Sequence, residues 1–442
     1  MKNNSLSAVY ICLLILIFGC NTPKKESEKI SKEGYTTSGQ NPKWVRSLIN
    51  AYRTLNDGQS IEAANQLYEA AELMPKKNWE IYFMAATVYA TKNKNEEAFQ
   101  SLHKAIQAGL RDSVLTATYP SLSNLRNDSR WNTLLHTISN NRKKYTQSIK
   151  NPELLKELEE MWAQDQLALS QYEEKTKSLD SNASIEEYQL LFKAVEDRWE
   201  INKNKLDSII DIHGWPGNEL VGEDGAKISW AIPQHYPDVF FKQKCLSLIK
   251  KAMKKGDMDP NHYAELNDRI ARDIWQKQTY GASMGQGAPH PIQDPANVDQ
   301  RRVALGLLEP IEVYAYFHGI EYQRPSQEEA KIALATSHQK AQQNFKTFEK
   351  FIAQKNIDSA NTHIASAISF YGELSNDQLY QASLYLAPFE NKRSKRICKN
   401  ILKVLVWRKW ENRFKITKQP EFISWYNKKE WLEITELLQK SQ

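Results

Sequence analysis

The residues most able to do chemistry lie in polar motifs between positions 213 and 307. His235 follows the amide residue Gln234, and a histidine oriented by a neighbour can act as a general acid or base near neutral pH. Three aspartates in these motifs could orient that histidine or hold a cation, and three arginines could grip a phosphate or carboxylate through paired hydrogen bonds. The aspartates are Asp268, Asp294 and Asp299, and the arginines are Arg269, Arg301 and Arg302. A hydrolase or transferase that acts on an anionic substrate would use such a set.

The motif residues divide into a predicted catalytic set and a predicted binding set. The catalytic set is His235, Asp268, Arg269, Asp299 and Arg301. The binding set is Gln234, Trp215, Asp294, Arg302 and Tyr280. A structural interpretation is equally available, in which the aspartates and arginines form buried ion pairs that fix turns and His235 is a core residue. Because polar clusters occur in structural networks as well as in sites, catalysis, binding without catalysis, and structure all stay open.

The order of these motifs resembles an uncharacterised family of bacterial domains of unknown function. The motifs that carry the resemblance are Asp165-Gln166, Asn202, Gly214-Trp215-Pro216, Gly222, Gln234-His235, Asp268-Arg269, Tyr280-Gly281, Asp294 and Asp299-x-Arg301-Arg302-x-x-x-Gly306-Leu307. Two positions depart from the family pattern. Ala282 stands where the family often has threonine, and Asp238 follows Gln234-His235 at a greater distance than the family's aspartate. The resemblance implies a shared fold and supplies no established reaction.

The sequence lacks motifs typical of bound metals and nucleotides. It has no His-Glu-x-x-His, no Cys-x-x-Cys, no calcium-binding loop and no glycine-rich phosphate loop. His262, His290 and His318 stand apart from other ligand-type residues, and we expect them to be core or surface residues. We therefore predict no metal site and no cofactor.

The composition predicts a mainly α-helical protein. Apolar residues make up 41% of the 442 residues and charged residues 25%, which is ordinary for a globular chain, and there are only 16 glycines and 16 prolines. More than half of these turn formers fall between residues 213 and 325. We predict helical-hairpin solenoid segments at 41–145 and 327–442 that flank a central α-rich domain with irregular loops at 152–324.

The first residues have the pattern of a bacterial lipoprotein signal. A basic start is followed by an apolar run from Ala8 to Phe18, which is too short to span a membrane, and then by Gly19-Cys20. This resembles the bacterial lipobox, in which the cysteine is lipidated and the signal is cleaved before it. We predict a signal peptide at 1–19, a lipid on Cys20, a flexible tether at 20–40 and a position in the bacterial cell envelope that faces the periplasm. The alternatives are an ordinary secretory signal and an uncleaved anchor.

The segment 41–145 has an internal period of 35 residues. The matched residues are Ala63, Leu67 and Ala70 against Ala98, Leu102 and Ala105. Small residues at helical spacing suit close contact within a helical hairpin, and the period resembles that of tetratricopeptide repeats. We therefore predict a scaffold that binds a protein or peptide partner. The rival hypothesis is an enzyme, a hydrolase or transferase acting on an anionic envelope substrate, with its site in the central domain.

A second repetition joins distant parts of the chain. The pattern from Pro120 to Ile138, which contains Trp131, returns from Pro420 to Leu438 with Trp431, at an offset of 300 residues. Terminal repeats must cover an apolar face that would otherwise be exposed. We predict that both segments end a helical array.

The stretch 391–418 holds eleven basic residues and one acidic residue. Because the protein is predicted to be exported, anionic lipid headgroups are the expected partner of a basic surface, and no nucleic acid is expected. The alternative, which we favour, is a helix with a solvated basic face and an apolar face that packs on the array.

Overall fold

The computed structural model describes residues 43–56, 60–179, 184–307 and 309–425, together with Trp431, Leu432 and Thr435. These residues form helices, and β-pairing among them is limited to two isolated bridges. The prediction of a mainly α fold is confirmed. None of the helices within the described ranges is long and apolar enough to cross a membrane. The predicted signal peptide, the lipidated Cys20 and the tether lie outside the described residues.

In chain order, the helices are α1 (Lys43–Asn56), α2 (Ile61–Leu73), α3 (Trp79–Thr91), α4 (Asn95–Gln107), α5 (Ser113–Thr118), α6 (Trp131–Ser148), α7 (Pro152–Lys177), α8 (Ile185–His213), α9 (Asn218–His235), α10 (Val239–Lys254), α11 (Pro260–Asp273), α12 (Val298–Leu305), α13 (Ile311–Phe317), α14 (Gln327–Ala353), α15 (Ile357–Ile368), α16 (Asn376–Leu386) and α17 (Lys392–Trp407). Short 3-10 helices lie at Pro120–Leu125, Pro295–Asn297, Glu411–Lys418 and Pro420–Trp425.

The described chain forms two compact units. Unit 1 contains the described residues up to Ile232 together with Ile249–Tyr263 and Arg302–Tyr322. Unit 2 contains Pro233–Leu248, Ala264–Arg301 and the described residues from Gln323 onward. The residues predicted to form a central domain therefore contribute to both units.

Two helical hairpins, α1–α2 and α3–α4, begin unit 1. Ser60 and Asn78 accept hydrogen bonds from backbone N–H groups in the first turns of α2 and α3, which fixes where these helices begin. Ala63 and Ala98, which occupy equivalent positions of the predicted period, are fully buried and allow the helices to approach closely. The segment forms the expected hairpins, and its assignment as tetratricopeptide repeats stays a prediction.

The long-range repetition has similar local structure where it is described. Pro120–Leu125 and Pro420–Trp425 are both 3-10 helices, in units 1 and 2 respectively. The tryptophans that follow them, Trp131 and Trp431, are both buried. The shared pattern of a proline followed by two apolar residues thus forms a short 3-10 helix in both segments.

Helix α13 packs on α1 within unit 1. Val313 belongs to the apolar core of the hairpin array, and the Arg53 guanidinium lies 5.7 Å from the centre of the Tyr316 ring. This part of α1 is consequently covered by the chain itself.

Asp224, on α9, is held by two arginines of unit 1. Arg111 donates to it from Nε at 3.0 Å and from Nη2 at 2.6 Å, and Arg142 Nη1 donates at 2.8 Å. The Tyr145 hydroxyl accepts a hydrogen bond from the Asp224 backbone N–H at 3.0 Å, and Gly222, with a φ of +70°, leaves room for that hydroxyl. Burial raises the pKa of Asp224, but the hydrogen bonds and charges of the arginines outweigh burial and hold the pKa below 3.8. The network ties α9 to the helices that follow the hairpin array.

Unit 2 contains the core formed by α14 to α17. Its buried apolar residues include Phe345, Phe348, Ile364, Leu379, Ile401 and Leu405. The apolar face of α17 is buried, as the favoured interpretation of the basic stretch predicts. Arg408 donates to the backbone carbonyls of Leu374 at 2.8 Å and Gly372 at 3.0 Å. Arg408, one of the basic residues of the stretch 391–418, is therefore bound within unit 2.

Candidate functional site

Asp268 organises the loop that follows α11. Its side chain is fully buried and accepts hydrogen bonds from the backbone N–H groups of Thr279 at 2.8 Å, Tyr280 at 2.9 Å and Ala282 at 2.9 Å, and from the Asn267 amide at 3.0 Å. Burial raises the pKa of Asp268, and these hydrogen bonds act against that rise. Because each of these groups donates and both carboxyl oxygens accept, the geometry is that of a carboxylate that fixes the loop.

Arg301 binds three backbone carbonyl groups of the same loop. Its Nε donates to the Thr279 carbonyl at 2.8 Å, and its Nη2 donates to the carbonyls of Gln293 and, at 3.0 Å, of Asp294. Its Nη1 lies 3.7 Å from the Asp294 carboxylate. The guanidinium therefore joins the two ends of the loop.

Four further predicted residues lie within electrostatic range of Arg301. They are Asp294, Asp268, Tyr280 and Asp299. Burial lowers the pKa of Arg301, and the charges of these groups oppose the lowering. Asp299 is in turn bound by Arg324 at 2.9 Å. The structure thus brings these predicted residues together around one loop, in contacts that position its backbone.

Gln278 shapes the loop into a hairpin that presents His290. The Gln278 side chain accepts a hydrogen bond from the Ser283 N–H at 2.8 Å and donates to the carbonyls of Ser283 at 3.0 Å and His290 at 2.6 Å. An antiparallel bridge joins Met284 to Pro289 within the hairpin, and a parallel bridge joins Gln278 to Ile292 at its base. Gly287, with a φ of +76°, forms part of the exposed tip. His290 is therefore held at a defined place on the returning arm.

Arg269 binds Gln234, so two more predicted residues meet. The Arg269 Nε donates to Gln234 Oε1 at 2.8 Å, and since only the oxygen of the amide can accept, this bond fixes the amide orientation. Gln234 is 6% exposed, and its Nε2 has no hydrogen-bond partner among the described residues. A buried donor in this state indicates a place for an acceptor from water or a ligand.

Lys242 and Arg272 extend the positive charge around Arg269. Lys242 is 3% exposed, and both it and Arg272 donate hydrogen bonds to Asp273. Burial lowers the pKa of Lys242; Asp273 opposes this effect, and the charges of Arg269 and Arg272 add to it. The two arginines therefore lie within electrostatic range of the ammonium. We call Lys242, Arg269 and Arg272 the cationic cluster.

His290 lies within electrostatic range of two members of the cationic cluster, Arg269 and Arg272. Burial lowers its pKa below 6.5, and the charges of Arg272 and Arg269 lower the pKa further, against Asp273. The lowered pKa favours the neutral form of the ring at pH 7. In the sequence this histidine stands apart from other ligand-type residues, so its proximity to these arginines was not predicted. The signal that could have found the cluster is Arg272-Asp273, one helical turn after Asp268-Arg269.

Three further predicted residues are His235, Trp215 and Arg302. His235 is half-buried at the last position of α9. Trp215 belongs to unit 1, where its Nε1 is buried and has no hydrogen-bond partner in the described part of the chain. Arg302, also in unit 1, donates to the Glu309 carbonyl at 2.8 Å and lies 4.9 Å from the centre of the Tyr314 ring. The catalytic and binding roles assigned to these residues stay predictions.

The hairpin also contains Gly281-x-Ser283-x-Gly285, the spacing of a serine-hydrolase nucleophile elbow. An elbow lies between a strand and a helix, whereas Ser283 lies in a short hairpin. No hydrogen bond joins its hydroxyl to His290 within the described residues. The geometry is therefore not that of an activated serine.

Unit 1 has a second set of buried polar groups. Trp230 and His262 stack at 4.6 Å, and Lys227 lies within electrostatic range of both His262 and Glu80. Burial lowers the pKa of His262 to about 3 and raises that of Glu80 to about 8. These groups include both hydrogen-bond donors and acceptors, and both a basic and an acidic side chain, so they do not favour a ligand of either charge. Across the described residues, no three His, Cys, Asp or Glu side chains are placed to hold a metal ion.

Comparison with known proteins gives one match. Residues 152–323 match DUF6624, a family of unknown function. The match spans about two fifths of the chain and contains Gln234, Asp268, the cationic cluster and His290. It confirms the predicted resemblance to an uncharacterised family. No curated protein and no solved structure matches the chain.

Proposed function

We propose that this chain is a lipid-anchored protein of the bacterial cell envelope that binds an anionic ligand beside the cationic cluster. The observation that carries the proposal is the buried Gln234 Nε2 donor, oriented by Arg269 and lacking an acceptor among the described residues. An anionic oxygen at this point would accept from the amide and gain the attraction of nearby cations. The proposal keeps the anionic ligand of the enzyme hypothesis and assigns no reaction.

The charges of this region favour an anion. Glu265 lies on α11 one turn before Arg269, and Asp273 lies one turn after it. Three of the charged side chains here are basic, namely Lys242, Arg269 and Arg272, and two are acidic, Glu265 and Asp273. Together they carry a net charge of +1. Arginine is well suited to such a site because its planar fork pairs with two oxygens of a carboxylate or phosphate.

Gln234→Glu tests the proposal. This change retains an oxygen for Arg269 and replaces the Nε2 donor with a negative oxygen, so an anion loses a hydrogen bond and meets a repulsive charge. We expect affinity for a bound anion to fall about 100-fold. Isothermal titration with phosphate, sulfate and succinate measures this.

Gln300→Glu is the matched control, because Gln300 is exposed on α12 and gains the same charge. We expect its affinity to stay within twofold of wild type. Equal losses in the two variants, or no binding of any of the three anions by wild type, would contradict the proposal.

The proposed anchoring is tested by Cys20→Ser. Since the thiol is the acceptor of the lipid, the variant should lose the mass of the lipid and move from the membrane fraction to the soluble periplasmic fraction. Cys12→Ser, inside the predicted signal, is the control and should stay with the membrane. A Cys20→Ser protein that keeps the mass of the lipid would refute lipid anchoring at this residue.

Anionic lipid headgroups remain a proposed partner of the basic stretch 391–418. Lys392, Arg393 and Arg396 of α17 are exposed and could face a membrane surface. A flexible tether of about twenty residues has a relaxed reach of about 25 Å, which would keep the folded chain near the bilayer.

The scaffold hypothesis stays a prediction. Helix α13 already covers part of α1, so a peptide lying there would have to displace it. This observation favours the anionic ligand over a peptide as the principal proposal.

A further inference from the structure

We infer that two copies of this chain associate through helix α8, which lies antiparallel to α8 of the second copy across a twofold axis at Ile201. This association does not depend on the anion site, which belongs to other helices. The reason for it lies in the apolar side chains that α8 leaves exposed.

One side of α8 meets α7, and another side carries exposed apolar residues. Asn202 is buried, and its amide donates to Asp165 of α7 at 3.4 Å. In contrast, Leu190, Ile201 and Ile212 are 76%, 43% and 72% exposed. Each is eleven residues from the next, and eleven residues make about three helical turns with a remainder of about 20°. The three side chains therefore lie along one line of the helix.

Four more exposed residues lie between the three apolar residues on this line. We use the name α8 face for the complete set, which is Leu190, Ala194, Asp197, Ile201, Lys205, Ser208 and Ile212. Successive members are three or four residues apart, as on one side of a helix, and the set extends over about 33 Å. Because an eleven-residue repeat of apolar positions is typical of helices that wind around one another, the α8 face suits a second helix.

The α8 face has the same pattern in both directions from Ile201. The residues at equal distances from Ile201, at eleven, seven and four positions, are Leu190 with Ile212, Ala194 with Ser208, and Asp197 with Lys205. In an antiparallel pair with a twofold axis, each residue meets its equidistant counterpart in the other copy. Apolar residues then meet apolar residues, small residues meet small ones, acid meets base, and Ile201 meets itself. The face is therefore complementary to a second copy of itself.

The charges of α8 favour a second copy over an anionic lipid surface. The helix has seven acidic and four basic residues, so a negatively charged membrane would repel it. Asp197 is 60% exposed and binds Lys193 of its own helix at 2.5 Å through one oxygen. The other oxygen can accept from Lys205 of the second copy. The twofold axis makes this ion pair twice.

The size of the α8 face predicts a reversible dimer. One pair of helices in contact over about 33 Å lies at the lower end of the range of specific interfaces. We therefore expect a dissociation constant of about 1–100 µM for the full chain. Sedimentation equilibrium over that concentration range measures it.

Ile201→Asp is the first test of the α8 face. It places two carboxylates opposite each other on the twofold axis, and we expect the dimer to weaken at least about 100-fold. Leu167→Asp is the matched control, because Leu167 is 49% exposed and lies on α7 instead of the α8 face. We expect Leu167→Asp to dimerise as wild type. Far-ultraviolet circular dichroism should show the same helix content in both variants.

Reversal of the charges tests the antiparallel alignment. Asp197→Lys and Lys205→Asp each replace two attractive pairs by two repulsive ones, so each variant alone should dimerise about tenfold more weakly. The double variant restores both pairs with their signs exchanged, and its dissociation constant should return to within about threefold of wild type. A surface that binds lipid or an unrelated protein gives no such recovery.

A crosslink tests the position of the axis. Ile201→Cys should form a disulfide between copies under mild oxidation, since the two thiols meet on the axis, whereas Cys245 and Cys398 are buried. Glu196→Cys is the control, because Glu196 is exposed about 140° around the helix from Ile201 and should stay unlinked.

Three results would overturn the proposed dimer. The first is a wild-type chain that stays monomeric at about 100 µM. The second is a dimer that Ile201→Asp leaves intact, which would place the interface elsewhere. The third is a double charge variant as weak as the single ones, which would exclude the antiparallel alignment. Monomeric protein that binds phosphatidylcholine vesicles, and loses that binding in Ile201→Asp, would assign the α8 face to lipid instead.

Discussion

Replacing Asp268 by asparagine should destabilise unit 2 by about 3–5 kcal/mol, although the two side chains have the same shape. The carboxylate accepts from three backbone N–H groups and from Asn267. Asparagine can accept at one oxygen, but its NH₂ group would face the donors bound by the other. Two backbone N–H groups would then be buried without an acceptor, and each such loss costs about 1–3 kcal/mol.

Urea denaturation and amide hydrogen exchange together measure this effect. We expect a lower midpoint and a specific loss of protection at the N–H groups of Thr279, Tyr280 and Ala282. Asp294→Asn is the matched control, since Asp294 is exposed and its carboxylate is 3.7 Å from Arg301, and its cost should be below about 0.5 kcal/mol. Unchanged stability and protection in Asp268→Asn would show that the loop does not depend on this carboxylate, and would favour the predicted catalytic role.

The helices could be predicted because their signals are local. The spacing of residues such as Ala63, Leu67 and Ala70 places them on one face of a helix, and all three are buried in the structure. The burial of the apolar face of the basic stretch has the same origin, since Ile401, Leu402 and Leu405 recur at helical spacing and are buried. Each of these inferences needs only the geometry of one helix.

The site could be predicted only in part, because neighbours in sequence have different surroundings. Asp268 binds backbone N–H groups of the loop, whereas Arg269 binds Gln234. Arg301 donates to Thr279, whereas Arg302 donates to Glu309. Successive side chains on a helix point about 100° apart, so a shared motif does not imply a shared contact.

The proximity of His290 to the arginines could not be predicted because it depends on tertiary contacts. The side chain of Gln278 and the buried Asp268 fold the hairpin that brings it beside Arg269 and Arg272. No period or spacing within residues 276–294 encodes that approach. A histidine that is isolated in sequence can therefore lie within electrostatic range of a charged cluster.

The second large effect is expected at Asp224, where asparagine should lower the stability of unit 1 by about 2 kcal/mol. Removing one member of a buried ion pair costs about 3–5 kcal/mol, and the value is reduced here because the side chains of Asp224, Arg111 and Arg142 remain 34%, 19% and 31% exposed. With Asp224 neutral, the two guanidinium groups lose the charge that separates them while both still pack on Tyr145, at 3.8 and 5.6 Å from the ring centre.

The pH dependence identifies the charge as the cause. Because the folded pKa of Asp224 is held below 3.8, its stabilising contribution is present in full above the unfolded pKa and is lost as the pH falls through the folded pKa. The difference in urea midpoint between wild type and Asp224→Asn should therefore be largest at pH 7 and smaller below about pH 3. Glu223→Gln is the control, since Glu223 is 54% exposed and lies 3.6 Å from Arg111, and we expect less than about 0.5 kcal/mol at either pH. A cost for Asp224→Asn that does not change between these pH values would assign the effect to altered packing, and the ion pair would then not be what ties α9 to the helices after the hairpin array.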